Sequence, residues 1–117
     1  DTIGKATADE VRYSLQKILK RWHPETFALH MHDTFGFGIE NIQAAMEFEI
    51  PTFDSSTGGI GGCPYAEGAS GNIASEKVVA LCKSLGIETG INEESLDKTA
   101  TFIQSIVEKE SLAHAED

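Results

Sequence analysis

Two short apolar segments, each followed by a glycine-containing loop and an amphipathic helical pattern, most constrain the fold of this chain. We interpret residues 27–32 and 50–56 as strands because each lies between helical patterns, and because the loops become long and glycine-rich only after strands. Strands that alternate with helices in this way are typical of repeated βα units around a parallel sheet. We therefore predict an α/β fold whose reactive groups lie at the carboxyl ends of the strands.

The helical segments are bounded by residues that commonly cap or break helices. Apolar side chains recur at helical spacing in four places, and residues 39–49 form the second of these segments. The other boundaries are marked by Thr7 or Asp9, His23-Pro24, a capping Ser75, Gly86 and a capping Asn92. Residues 108–117 lose the apolar stripe, so we expect this tail to fray. The strand count is too low to close a barrel, which needs about eight strands, so we predict part of a larger domain.

Composition limits the classes of function. The formal net charge is −10, which argues against a nucleic-acid surface because phosphate backbones are bound by an excess of Lys and Arg. No apolar run is long enough to span a bilayer, so we predict no membrane partner, and residues 1–5 lack the pattern of a secretory signal. Cys63 and Cys82 do not indicate a disulfide framework, which favours a reducing compartment.

The segment His30-Met31-His32-Asp33 is the first candidate site. On a strand, the alternation of side chains places His30 and His32 on one face, two positions apart, and turns Met31 to the other face. Two imidazoles that converge on one point suit a divalent metal ion. The alternative is a pair of hydrogen-bonded histidines in or beside the core, without a ligand.

The glycine-rich loop of residues 57–72 is the second candidate site, because a loop of this length inside a compact domain is usually functional or disordered. The glycine spacing does not fit dinucleotide binding, and no helix starts directly after residues 58–62. Cys63, between a glycine and a proline, is either a thiol that can reach a ligand or a thiol packed in a turn. From the residues alone, Asn72 is a turn or helix-cap residue.

Four motifs taken together resemble one enzyme family. They are His30-Met31-His32-Asp33-Thr34-Phe35-Gly36, Phe53-Asp54-Ser55-Ser56, Gly59-Ile60-Gly61-Gly62-Cys63-Pro64-Tyr65-Ala66 and Gly68-Ala69-Ser70-Gly71-Asn72. In this combination the chain resembles the 3-hydroxy-3-methylglutaryl-CoA (HMG-CoA) lyases, which belong to a superfamily of metal-dependent TIM-barrel lyases and Claisen-type synthases. The resemblance covers residues 1–117. It implies the C-terminal part of one (β/α)8 barrel, namely the end of its fifth strand and about its last three βα units.

The resemblance implies a metal site and a set of catalytic residues. The metal ligands would be His30, His32 and Asn72, together with an Asp from a first strand that is not in this chain. The metal would be Mg2+ or Mn2+, with Zn2+ as the alternative. Cys63 is implied as the proton donor, His30 as a proton shuttle, and Asp1 as the partner of an Arg that also lies in the first strand. Around them, the shell or substrate contacts are predicted to include Asp33, which would orient an imidazole, and Thr2, Tyr65 and Glu76.

The resemblance also implies a reaction. An HMG-CoA lyase performs a retro-Claisen cleavage of HMG-CoA to acetyl-CoA and acetoacetate, a step of leucine degradation and ketone-body formation. An acyl-CoA substrate, a homodimer, and a bacterial cytosol or a mitochondrial matrix are therefore expected for the whole protein.

Two alternatives to a lyase stay open. The sister synthases for isopropylmalate, homocitrate and citramalate share the His-x-His and Asn pattern, whereas the Cys63-Pro64-Tyr65-Ala66 segment is typical of the lyases. The non-enzymatic alternative is a truncated barrel that only binds metal or assembles with a partner. We expect this segment alone to be inactive and prone to associate, because a partial barrel exposes strand edges and apolar surface.

Overall fold

A computed structural model describes residues 1–61 and 71–115, with side chains as far as residue 110. In the described residues, helices and short strands alternate as expected for βα units, until two helices follow the second strand. The elements are α1 (Ala8–Ile18), β1 (Ala28–His30), α2 (Gly38–Met46), β2 (Thr52–Asp54), α3 (Ser75–Ser84) and α4 (Glu93–Ala115), with 3-10 turns at Pro24–Thr26 and Thr57–Gly59. None of the described helices is both long enough and apolar enough to cross a bilayer.

The strands β1 and β2 form a parallel pair, as the sequence predicts. Their register places His30 beside Asp54, and α2 makes the crossover between them. Each strand has only three residues, fewer than predicted. The first one ends early because the backbone changes partner after His30, and His32 pairs instead with Asn72 in an isolated antiparallel bridge. The carboxyl end of β1 therefore meets the segment that precedes α3.

The core lies between the sheet and one face of α1 and α2. In α2, Ile42 is 1% exposed, and the buried side chain of Asn41 donates from Nδ2 to Ala6 O at 2.9 Å. The cluster of buried apolar residues consists of Val11, Leu15, Met31, Ile42, Ala45, Ile50 and Ile73. Because Met31 and Ile73 belong to this cluster, the core fixes the two segments that carry the predicted site.

The helix α1 begins where the sequence predicts but ends earlier. Thr7 is its N-cap, and the Thr7 Oγ1 accepts a hydrogen bond of 3.3 Å from an amide of the first turn. The helix stops at Ile18, not at His23-Pro24, because the following turn tightens: the amide of Arg21 bonds three residues back, to Ile18 O. Trp22 stays half exposed, so burial does not extend the helix.

The ends of α3 and α4 confirm two predicted boundaries and correct a third. Gly86 follows α3 with a φ of +72°, and Asn92 Oδ1 accepts from the first turn of α4 at 2.9 Å. The prediction that Ser75 caps α3 is wrong. Ala74 holds the N-cap position, and Ser75 Oγ forms a hydrogen bond of 2.7 Å with Ser55 Oγ.

The C-terminal helix α4 is the longest described helix and extends to Ala115. Residues 108–115 continue this helix, and fraying of the tail in solution stays a prediction. The helix packs against α3 and against the 3-10 turn at Thr57–Gly59, where Ala100 is 5% exposed. The C-terminal helix thus touches the start of the glycine-rich loop.

Candidate metal centre

The two histidines that were predicted to share a face do so. His30 is the last residue of β1, and its ring centroid lies 5.0 Å from that of His32, with the ring planes at 39°. Met31 belongs to the core cluster and is 6% exposed. The alternation of a strand therefore continues past the end of β1 and brings both imidazoles to one edge of the sheet.

Asn72 joins the two histidines, as the resemblance implies. Its Oδ1 lies 3.0 Å from His30 Nε2, and its backbone pairs with that of His32. Its Nδ2 donates to Ile60 O at 3.1 Å, which turns the amide oxygen toward the imidazole. Gly61 makes room for this arrangement, because a Cβ at that position would lie 2.5 Å from Asn72 Nδ2. The start of the glycine-rich loop thus sets the orientation of the amide.

His32 is held in the tautomer that suits metal binding. Its Nδ1 lies 2.6 Å from the carbonyl oxygen of Asp1, which can only accept a hydrogen bond, so Nδ1 carries the proton. In the neutral ring, Nε2 then keeps a lone pair for a ligand bond. Burial, and after it the positive charge of His30, lowers the pKa of His32, which favours the neutral form that binds metal.

Asp54 orients His30, and the sequence analysis did not identify it as a site residue. Its Oδ2 lies 3.4 Å from His30 Nδ1, on the opposite side of the ring from Asn72. When Nε2 binds a ligand, a carboxylate in this position can hold the ring proton on Nδ1. The available signal was the strand register, because His30 and Asp54 are the last residues of two neighbouring parallel strands.

The donor set fits one divalent cation. Two ligand atoms bound at about 2.1 Å and at right angles to one ion lie about 3.0 Å apart. His30 Nε2 and Asn72 Oδ1 have this separation, which is also that of the hydrogen bond between them. Two imidazole nitrogens and one amide oxygen fill three positions and leave others open. Among residues 1–61 and 71–115 no cluster of three or more His, Cys, Asp or Glu side chains could hold a metal ion.

Asp33 connects secondary-structure elements, and its contacts do not match the predicted role beside an imidazole. Its Oδ1 accepts from the amide of Gly38, at the start of α2, at 3.0 Å. Its Oδ2 accepts from Lys77 Nζ on α3 at 2.8 Å, and the side chain is 6% exposed. Because both oxygens are bound in this way, Asp33 fixes the end of the first strand against two helices. Lys77 was not identified from the sequence, since the pair is 44 residues apart along the chain.

Three further predicted site residues have defined positions. The carboxylate of Asp1 accepts hydrogen bonds from two amides, one of them that of His32 at 3.4 Å. Thr2 lies exposed in the turn that follows. Glu76 binds the glycine-rich loop, because its Oε1 accepts from the amide of Gly58 at 2.8 Å. Glu76 therefore supports the loop and not an imidazole directly.

Cys63 and Tyr65 lie outside the described residues, so their predicted roles stay predictions. Gly61 and Gly71 flank the segment that contains them. The carbonyls of these two glycines accept backbone hydrogen bonds of 3.2 and 2.8 Å from the amide of Asn72 and from the segment that carries the histidines. Both flanking residues therefore lie beside the candidate metal centre.

The sequence profile of the HMGL-like family matches residues 1–103. The chain belongs to the HMGL-like family. Within this family, the human cytoplasmic 3-hydroxy-3-methylglutaryl-CoA lyase is 39% identical over 109 residues, which cover 93% of this chain and 30% of the relative. Other HMGL-like relatives named as hydroxymethylglutaryl-CoA lyases are mitochondrial or bacterial. The chain spans about a third of the length of the curated relatives it matches.

Solved structures of HMG-CoA lyases have the same fold as this HMGL-like chain. The lyase from Brucella melitensis superposes with a TM-score of 0.87 at 39% identity, covering 91% of this chain and 38% of that one. A lyase from Acinetobacter baumannii, in complex with coenzyme A and 3-methylmalate, gives a TM-score of 0.80 at 39% identity, covering 90% and 34%. The predicted fold class, part of a (β/α)8 barrel, and the resemblance to the HMG-CoA lyases are both confirmed.

Proposed function

We propose that this chain is part of an HMG-CoA lyase, which cleaves a carbon–carbon bond of HMG-CoA to give acetyl-CoA and acetoacetate with the help of a divalent cation. The observation that carries the proposal is the convergence of His30 Nε2 and Asn72 Oδ1, 3.0 Å apart, beside the ring of His32. Membership of the HMGL-like family supports the reaction class.

Three side chains would hold the cation: His30, His32 and Asn72. A mixed set of imidazole and oxygen ligands that leaves positions open on an octahedral ion suits Mn2+ or Mg2+, with Zn2+ as the alternative. When bound, a divalent cation supplies positive charge that lowers the pKa of the substrate hydroxyl and fixes its position. The three side chains are already oriented by groups behind them, namely the carboxylate of Asp54, the carbonyl of Asp1 and the carbonyl of Ile60. Ligands preset in this way need little rearrangement when substrate binds.

Cleavage requires two proton transfers, and the chain offers a group for each. The tertiary hydroxyl of HMG-CoA loses its proton as the carbon–carbon bond breaks, and the enolate of acetyl-CoA then gains a proton. We assign removal of the first proton to His30 in an alternative role, in which Nε2 accepts the proton instead of binding the cation and Nδ1–H faces Asp54 at 3.4 Å. We assign donation of the second proton to the Cys63 thiol, because Cys63 belongs to the segment flanked by Gly61 and Gly71, both of which lie beside the site, and a thiol can protonate an enolate.

The remaining site residues are proposed to support binding. Asp1 would hold an Arg supplied by the rest of the barrel, while Thr2 and Tyr65 would contact the substrate. Glu76 would act through the loop, by way of its hydrogen bond to the amide of Gly58. The contacts of Asp33 assign it to the support of the strand end.

The proposed partners of the whole protein follow from the family. One HMGL-like lyase was solved with coenzyme A, which supports an acyl-CoA thioester as the substrate class here. We propose a homodimer as the assembly and the cytosol or the mitochondrial matrix as the compartment, since relatives of both kinds exist.

The test is an assay of the whole protein for acetyl-CoA released from HMG-CoA. We expect activity that is lost with a chelator and restored by Mg2+ or Mn2+. The variant His30→Gln should lower activity at least about 100-fold, because it removes the imidazole in either proposed role, as a cation ligand or as a proton carrier. His23→Gln is the matched control, since His23 is exposed in the turn after α1, and it should keep the activity of the wild type.

Two results of this assay would contradict the proposal. Activity that does not depend on a divalent cation would remove the role of the metal centre. Condensation of acetyl-CoA onto a 2-oxo acid, without cleavage of HMG-CoA, would instead assign the protein to the sister synthases.

A further inference from the structure

The backbone of Gly58 is bound by side chains from two different helices. Its amide donates to Glu76 Oε1 on α3 at 2.8 Å, and its carbonyl accepts from Gln104 Nε2 on α4 at 3.2 Å. Gly58 has a φ of +73°, and a Cβ there would lie 3.3 Å from Gln104 Cγ. A backbone that adopts this conformation and approaches a helix so closely requires glycine. The backbone amide and the backbone carbonyl of Gly58 are therefore both bound by residues outside the glycine-rich loop.

Gly58 lies two residues before Ile60, whose carbonyl orients the proposed cation ligand Asn72. Ile60 O accepts from Asn72 Nδ2 at 3.1 Å, and Gly61 O accepts from the backbone amide of Asn72 at 3.2 Å. The short turn is closed by the amide of Gly59, which donates to Ser56 O at 2.9 Å. A shift of Gly58 would therefore move Ile60 and allow the amide of Asn72 to rotate.

We propose that Gln104, on the C-terminal helix, is a positioning residue for the metal centre: it holds the Gly58 carbonyl, and so keeps Ile60 O in place to aim the oxygen of Asn72. The inference rests on the proposed function in one respect, since it takes Asn72 as a ligand. It extends the site to α4, which supplies none of the proposed ligands.

The contacts separate this role from a purely structural one. Gln104 is exposed, so its removal costs little buried surface. The helix itself stays docked through Ala100, whose carbonyl would lie 3.4 Å from a Cβ on Gly58 and whose side chain is 5% exposed. Loss of the Gln104 hydrogen bond should therefore loosen the turn without releasing the helix.

The test compares Gln104→Leu and Gln104→Glu with the control Gln43→Leu in the whole protein. Leucine removes the donor at similar volume, and glutamate replaces it by an acceptor that repels the Gly58 carbonyl. Gln43 is an exposed glutamine on α2, so its replacement controls for the change of an exposed amide to leucine. The readouts are Mn2+ affinity by electron paramagnetic resonance, the NMR signals of the Asn72 side-chain NH2 without cation, and the melting temperature.

We expect Gln104→Leu to weaken Mn2+ binding about fivefold, which is the effect of one net hydrogen bond, and Gln104→Glu to weaken it more. The Asn72 NH2 signals should shift and exchange faster with solvent, while the melting temperature stays equal to that of Gln43→Leu. Unchanged Asn72 signals would overturn the inference whether or not the cation binds, and so would a melting temperature that falls in step with affinity. A wild-type protein that does not bind Mn2+ would count against the proposed function, and the Asn72 signals would still decide the inference.

Discussion

An imidazole binds a cation through one nitrogen, so the hydrogen bond of its other nitrogen decides whether the ring is ready. His32 Nδ1 donates to the carbonyl of Asp1, and His30 Nδ1 faces the carboxylate of Asp54. In His32 this leaves Nε2 for the cation, and in His30 Asp54 can keep the ring proton on Nδ1 when a cation takes the place between Nε2 and Asn72 Oδ1. The amide of Asn72 is prepared in a similar way, because its nitrogen is bound to Ile60 O. Each proposed ligand is therefore oriented before any cation arrives.

Gly61→Ala tests this orientation at a single residue. A Cβ at position 61 would lie 2.5 Å from Asn72 Nδ2 and would force the amide to move. We expect Mn2+ affinity, measured by isothermal titration calorimetry on the whole protein, to fall at least about tenfold, the usual cost of losing support behind a ligand.

The matched control for this substitution is Gly90→Ala. Gly90 has a φ of +74°, comparable to the +97° of Gly61, but nothing lies within 4 Å of the added Cβ. Alanine at either position carries a backbone cost of about 1 kcal/mol, which both variants should show in the free energy of unfolding. Only Gly61→Ala should lose affinity for Mn2+, and equal affinities in the two variants would contradict the account of Asn72.

Among the secondary-structure elements, Asp33 makes the connection that matters most for the site. One of its oxygens caps the start of α2 through the amide of Gly38, and the other binds Lys77 on α3. The carboxylate is almost completely buried, so its charge needs these donors. The segment that carries His32 is thereby tied to two helices.

Lys77→Met tests this connection. The substitution keeps the aliphatic stem but removes the charged donor, and leaves one carboxylate oxygen of Asp33 without that partner. We expect a loss of about 1–2 kcal/mol in the free energy of unfolding, measured with urea. Lys98→Met should change it by less than about 0.5 kcal/mol, because Lys98 only forms an exposed pair with Glu94. Equal effects of the two substitutions would show that the buried pair contributes no more than a surface pair.

The elements also show what the sequence could predict and where it failed. Local signals were sufficient for the βα order and for the helix boundaries at Gly86 and Asn92, and they left Thr7 or Asp9 as the cap of α1, which the structure assigns to Thr7. The strand lengths and the role of Ser75 were not predictable, because they depend on pairing between segments distant in the chain. A serine side chain can either cap a helix or form a hydrogen bond with a residue distant in the chain. Ser75 forms the distant hydrogen bond, to Ser55.

The same division applies to the site. Strand alternation predicted that His30 and His32 share a face, but Asn72 was placed beside them only by resemblance to a family. From the residues alone, Asn72 was a turn or cap residue. The signals for Asp54 were its motif and the strand register, whereas Ile60 O is a backbone carbonyl and has no signal in the residue type.

On the scale of the whole molecule, the chain spans about a third of the length of the HMG-CoA lyases that it matches. The described sheet has two strands, so each strand has one neighbour in the described part of the chain. A cleft lined by apolar residues of α1 and β1, including Val11, Leu15 and Leu29, lies open beside the first strand. Open strand edges and apolar surface favour association.

We therefore expect the 117 residues on their own to self-associate and to release no acetyl-CoA from HMG-CoA. Sedimentation velocity over a range of concentrations measures the first property, and the cleavage assay measures the second. The whole protein, under the same conditions, is the control and should be both active and of defined size. A monodisperse, active monomer of the segment would contradict this expectation.

We infer that His30, His32 and Asn72 bind one divalent cation. Anomalous difference density from a crystal of the whole protein grown with Mn2+ shows directly where the cation lies. We expect a single peak at about 2.0–2.3 Å from His30 Nε2, His32 Nε2 and Asn72 Oδ1. A fully occupied peak elsewhere, or one bound by the histidines while the amide oxygen of Asn72 points away, would contradict it.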